Sequence, residues 1–249
     1  MTLIVALEGR DGLVMAADSR ATIGDPRGLT AVNDLQQKLF KLSRYCGIAI
    51  SGASELAARL TDQLIAQIEA NKLENTDDIV QRAYELAKRE FTQWFGVRPW
   101  SGTQPIVDQR PSVIFVVAGY TVHTAGQLKP RIYLLASQLD FAPQLCPSGY
   151  MLAGVPQYAT YLLHRFYSRE MSVDNVSALA AYLIAETATQ DPKVGGPIHI
   201  AVITRQNGYT ELETSKVEEL VRRNEEQSRR MRQFFFGGSN NGKQSAEAV

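Results

Sequence analysis

Cysteine and histidine are scarce. The 249-residue chain carries two cysteines, Cys46 and Cys146, too few for a disulfide framework. Its three histidines, His123, His164 and His199, are scattered, so a Cys/His zinc site has no material. No metal or other cofactor is expected. Long apolar runs are missing too: nothing approaches the roughly 18–20 residues that cross a bilayer. The first residues lack a basic stretch and are interrupted by Glu8, which argues against a secretory signal. Net charge is absent, with 26 Lys and Arg against 26 Asp and Glu. No overall basic field therefore calls for nucleic acid or an anionic membrane. There is no P-loop and no Gly-x-Ser-x-Gly elbow, and Gly149 with Gly154 makes no dinucleotide fingerprint. The expectation is a soluble cytoplasmic protein.

What is present is ordinary globular material, 45% hydrophobic and 21% charged. The sequence reads as one domain over residues 1–233 and a polar, Gly-rich flexible tail over 234–249. Strands are expected at Thr2–Leu7 and Leu13–Ala17 around an Asp11-Gly12 turn, and a hairpin at Lys38–Leu42 and Gly47–Ser51. Leu56, Leu60, Leu64 and Ile68 then recur every four residues on one helical face. A second helix follows from Thr76 to about Phe95, opened by Asp77 and Asp78. Strands return at Ser112–Gly119 and Arg131–Ala136, helices at Val155–Ser168 and Val173–Thr189. A strand at Ile198–Thr204, an Asn207-Gly208 turn, a strand at Tyr209–Glu213 and a charged helix from Thr214 to about Gln233 complete the order. Runs of strands alternating with pairs of helices point to α+β layering with antiparallel sheets.

Chemistry concentrates at the amino terminus. Methionine ahead of a small residue is commonly removed, which would make Thr2 the first residue. A terminal threonine combines a hydroxyl nucleophile with an α-amine of pKa ~7.7–8.0, able to act as that hydroxyl's own base. By itself a threonine at position 2 is more often an accident of the first strand. Asp18 and Lys38, read alone, are a strand-end carboxylate and a surface lysine, Gly52 is a turn glycine, and Ile50 is equally wall or core.

An ordered series changes that weighing. Thr2-Leu3-Ile4-Val5-Ala6-Leu7, then Ala16-Ala17-Asp18-Ser19-Arg20-Ala21-Thr22, Lys38-Leu39-Phe40, Ile48-Ala49-Ile50-Ser51-Gly52, Gln190-Asp191 to Gly195-Gly196, and Ile200 to Arg205 with Gly208-Tyr209 resemble the proteasome β subunits. The resemblance runs from about residue 2 to 220. It implies a four-layer αββα sandwich, the N-terminal-nucleophile (Ntn) hydrolase fold, and a threonine peptidase that needs no cofactor. Thr2 would be the nucleophile and its freed amine the general base, with Asp191 among the catalytic residues. Lys38, paired with Asp18, would favour the alkoxide, and Gly52 would donate its N–H to the oxyanion. Ala21 and Thr22 would hold an extended substrate by backbone hydrogen bonds, while Ile50 and Ser54 would wall an apolar specificity pocket. The implied partners are peptide or unfolded protein, a homo-oligomeric ring and, by analogy, an unfolding ATPase. A non-catalytic ring subunit and another Ntn amidohydrolase or acyl transferase are the alternatives. α-type subunits carry a helical extension before the first strand, and none precedes it in this sequence.

The sequence departs from the family twice. Gly154 and Val194 stand where the resemblance implies serines that orient the terminal amine. Elsewhere, Arg222, Arg223, Arg229, Arg230 and Arg232 interleave with Glu218, Glu219, Glu225 and Glu226, the pattern of an ion-paired exposed helix. Phe234-Phe235-Phe236 is a terminal aromatic run that reads equally as a docking surface or an end-of-helix core contact.

Overall fold

The computed structural model describes residues 2–24, 30–97, 109–122 and 126–236. The loop around Pro26, most of the segment 96–110, His123 and the tail beyond 236 lie outside them. Twelve strands, five α-helices and one short 3-10 helix (Ser137–Leu139) are found among the described residues. One sheet contains β1 (Leu3–Glu8), β2 (Gly12–Asp18), β10 (Tyr150–Gly154), β11 (Ile198–Thr204) and β12 (Gly208–Glu211), in the order β10-β1-β2-β11-β12. The other contains β5 (Leu39–Ser43), β6 (Cys46–Gly52), β7 (Val113–Val122), β8 (Leu128–Ala136) and β9 (Gln144–Leu145), in chain order. A separate two-stranded arm pairs β3 (Ala21–Gly24) with β4 (Thr30–Asn33). Every pairing is antiparallel.

Side-chain alternation makes three cores. Along β1, Leu3, Val5 and Leu7 face a core shared with α3 (Gln157–Phe166), α4 (Val173–Gln190) and the first turns of α5 (Thr214–Phe236). Ile4 and Ala6 face the opposite way, into the layer between the sheets. In the second sheet, Ile48 and Ile50 of β6 with Phe115 and Val117 of β7 pack under α1 (Ser54–Asn71) and α2 (Thr76–Phe95), while Ala49, Val116 and Ala118 enter the inter-sheet layer. The result is the four-layer αββα sandwich. Near-continuous apolar runs such as Val113–Val117 usually mark parallel strands. Here antiparallel strands carry them, because each sheet is covered on both faces.

Most elements follow the sequence expectations. On α1, Leu60, Leu64 and Ile68 are buried and Leu56 packs partly exposed against the same core. Thr76 fixes the start of α2 by donating its hydroxyl to the Tyr120 carbonyl at 2.8 Å. Asp77 and Asp78 lie in that first turn, where the helix dipole favours negative charge. Among the described residues no helix is long and apolar enough to cross a membrane. The charged final helix continues to Phe236, and Phe234, Phe235 and Phe236 are exposed. Unforeseen elements are the β3–β4 arm, β9 and β10. The last matters most: β10 lies beside β1 with Leu3 opposite Gly154, where a helix was expected to begin at Val155.

Candidate active site

The site lies at one end of the inter-sheet layer. Thr2 continues the alternation of Ile4 and Ala6 and is buried at the start of β1. A pocket there is lined by Thr2, Lys38, Gly52 and Ser51, the arm residues Ala21, Thr22 and Ile23, and by Arg20, Gln36, Ile50 and Ser54. The structure thus brings seven sequence-selected residues to one place: Thr2, Lys38, Gly52, Ala21, Thr22, Ile50 and Ser54. Ile50 plays both of its possible parts, lining the pocket while packing into the core under α1.

Asp18 sits directly behind. One carboxylate oxygen accepts the Leu3 N–H at 3.0 Å and Lys38 Nζ at 3.2 Å. The other accepts the Arg20 N–H at 3.1 Å and the Gly195 N–H at 3.0 Å. Asp18 therefore anchors the first residues of β1, the entry to the arm and the 191–196 loop at once. Lys38 Nζ also donates to the Arg20 carbonyl at 2.6 Å. An ammonium has three donors, so one remains for the pocket. Burial pushes the Lys38 pKa below the ordinary lysine value, and the Asp18 charge opposes that shift. Arg20 makes a forked bond to Asp34 at 2.8 and 2.9 Å, which ties the arm down beside Lys38.

Gly52 ends β6 with φ +96°, and a Cβ there would lie 2.0 Å from the Ser112 carbonyl oxygen. The glycine is thus demanded by the neighbouring backbone itself, beyond any need for substrate to approach closely. The Ile50 N–H donates across to Lys38 O, and the Ala53 N–H goes the other way to Ser112 O. By the two-residue alternation of an antiparallel strand, the Gly52 N–H emerges on the Lys38 side, at the pocket.

Asp191, Gly154 and Val194 lie outside the lining of the pocket. The carboxylate of Asp191 accepts the Lys193 N–H at 2.8 Å and the Asp191 carbonyl the Val194 N–H, so the residue shapes the loop that presents Gly195 to Asp18. At Gly154 the backbone leaves no room for a Cβ. It has φ +91°, and a Cβ would lie 1.7 Å from the Thr2 carbonyl oxygen. Val194 is fully buried in the core over α4. Sequence reasoning missed Arg20, Ile23, Gln36 and Ser51. Ser51 was within reach, since alternation puts it on the face of Ala49.

A double antiparallel sandwich flanked by helices, with the first strand opening into a pocket between the sheets, is the Ntn-hydrolase fold. A solved structure of the same fold is a Gly-1 mutant of Anbu from Hyphomicrobium sp. strain MC1, with TM-score 0.69 and 16% identity over 94% of this chain and 96% of that one. Residues 2–107 match the family described as "Proteasome subunit". Over most of its length the chain is similar to proteasome β subunits. It is 25% identical to that of Thermoplasma acidophilum over 89% of this chain and 94% of the relative. It is 24% identical to that of Methanopyrus kandleri over 88% and 95%. With the β subunit of Streptomyces griseus it shares 25% over 89% and 75%.

Proposed function

We propose that this protein is a peptidase whose nucleophile is the hydroxyl of Thr2, exposed as the amino-terminal residue by removal of Met1. The observation that supports the reading is that Thr2 shares one pocket with a buried lysine that keeps an uncommitted proton and with a glycine whose position leaves no room for a Cβ.

Chemically, the free amine of Thr2 accepts the Oγ1 proton as the oxygen attacks the substrate carbonyl. The remaining Lys38 N–H lowers the cost of charge on that oxygen, and the Gly52 N–H receives the oxyanion. On collapse the amine passes its proton to the leaving nitrogen, which departs as the new amino terminus and leaves an acyl ester on Thr2. Water, deprotonated by the same amine, cleaves the ester to a carboxylic acid and restores Thr2. One peptide bond and one water are consumed per cycle.

The arm supports an extended substrate. Among the described residues β3 pairs only with β4, leaving its other edge for strand addition beside the pocket. Thr22 Oγ1 is buried there with no partner among the described residues, a polar group for a bound chain to satisfy. Assembly into a homo-oligomeric ring with an unfolding ATPase as partner is part of this reading, by analogy with the β subunits. Peptide cleavage by protein lacking Met1 tests it. Wild type is expected to cleave unstructured peptides and Thr2→Ala to be inactive while folding normally. Equal turnover in Thr2→Ala would end the proposal.

A further inference from the structure

We infer that Ser51 is a positioning residue for the Thr2 amine, an assignment that rests on the peptidase reading above. Ser51 lies on β6 between Ile50 and Gly52, and its side chain belongs to the face that Ala49 presents to the inter-sheet layer. That layer is otherwise built here from Ile4, Ala6, Ala49 and Val116. Ser51 is only 5% exposed, lines the pocket with Thr2, and has no hydrogen-bond partner among the described residues. Its hydroxyl faces the pocket and is available to accept a hydrogen bond.

Geometry selects the amine. Ser51 Oγ is 3.3 Å from the point where a Cβ of Gly154 would stand, and the Thr2 carbonyl oxygen is 1.7 Å from that same point. The Thr2 carbonyl accepts the Val155 N–H at 2.9 Å, so it faces the β10 edge of β1. In an antiparallel strand the N–H and C=O of one residue lie on the same edge. The nitrogen of Thr2 is therefore directed to the β10 edge as well, towards the space bounded by Gly154 and Ser51. Neither residue at the end of β10 offers a polar side chain there: Gly154 has none, and the Val155 side chain is committed to the helix-facing core. The hydroxyl comes from the opposite sheet. With Met1 gone, Ser51 Oγ accepts one N–H of the amine and holds its lone pair towards Thr2 Oγ1.

The test compares wild type and Ser51→Ala, both lacking Met1, in two assays. In steady-state peptide cleavage kcat falls on the order of tenfold or more with KM little changed, since a misdirected base costs the chemical step. In competitive acylation of the terminal amine, read by mass spectrometry against pH, Ser51→Ala titrates at lower pH than wild type, because an acceptor favours the protonated amine. A melting curve close to wild type accompanies both. Unchanged kcat, or a lowered kcat with an unmoved amine titration, overturns the assignment, the second outcome marking a merely structural residue. If wild type itself cleaves no peptide, the peptidase reading fails, and the amine titration alone still decides whether Ser51 holds the amine.

Discussion

Replacing Gly154 with serine separates a missing hydroxyl from a required glycine. The substitution would restore the serine implied by family resemblance, and on that ground turnover should rise. The geometry predicts the reverse. A Cβ at 154 would stand 1.7 Å from the Thr2 carbonyl oxygen, where real contacts are essentially never below 3.0 Å. Backbone must therefore move, and what moves is Thr2 or the end of β10 that holds it through the Val155 N–H. The φ of +91° adds left-handed strain of roughly 1–2 kcal/mol for a residue with a Cβ. In a chain of this size that lowers the melting temperature by about 2–8 °C, before any cost of the clash. A nucleophile displaced by ~1 Å loses on the order of a hundredfold in turnover. Peptide cleavage and thermal melting of Gly154→Ser and Gly154→Ala, side by side, check this. Both should lose activity alike, since the hydroxyl is irrelevant to the clash. Turnover at or above wild type in Gly154→Ser would refute the reasoning.

The other expectations are shorter. Lys38→Ala should lower turnover on the order of a hundredfold with the fold retained, and Lys38→Arg should not restore it, because the planar fork does not fit a site shaped by Asp18 and the Arg20 carbonyl. The pH–rate profile should lose its alkaline limb below 10.5, the ordinary lysine value, because burial depresses Lys38 and activity needs its charged form. In Asp18→Asn that limb should move to still lower pH, since the carboxylate charge is what raises the Lys38 pKa; a limb unmoved in the variant counts against the pairing. Val194→Ser puts a hydroxyl into a fully buried apolar core and should cost about 1–3 kcal/mol without raising turnover, as melting and kinetics would show.

Much of the architecture is legible in the sequence because the strands are short and bounded by strong turn signals. Asp11-Gly12 and Asn207-Gly208 mark two hairpins, and the four-residue spacing of Leu56 to Ile68 marks α1. The β3–β4 arm escaped because it has no buried stripe to betray it: Ile23 is 64% exposed and Val32 52%. β10 escaped for the opposite reason. Its residues Tyr150–Leu152 are only partly buried, and the apolar run continues past Gly154 towards α3, so no period separates strand from helix. That omission carried into the site, because only the pairing of β1 with β10 reveals why residue 154 is glycine. Asp18, Lys38 and Gly52 could be selected by type and order, but their gathering around the start of β1 is a property of two sheets facing one another. Asp191 was selected by the same ordering, and its carboxylate instead closes its own loop on Lys193. Ser51 carries no signal in the sequence beyond the two-residue alternation it shares with Ala49 on β6.

The central claim is that Thr2 becomes a free terminal residue whose hydroxyl and amine act together. A peptidyl epoxyketone reports on both groups, because its stable ring adduct needs the hydroxyl to attack the ketone and the amine to open the epoxide. Intact mass followed by fragment sequencing of the treated native protein is the direct measurement. The account predicts a chain lacking Met1 with one adduct at Thr2, absent from Thr2→Ala. Retention of Met1, or a chain that loses Met1 yet stays unmodified at Thr2, would contradict it.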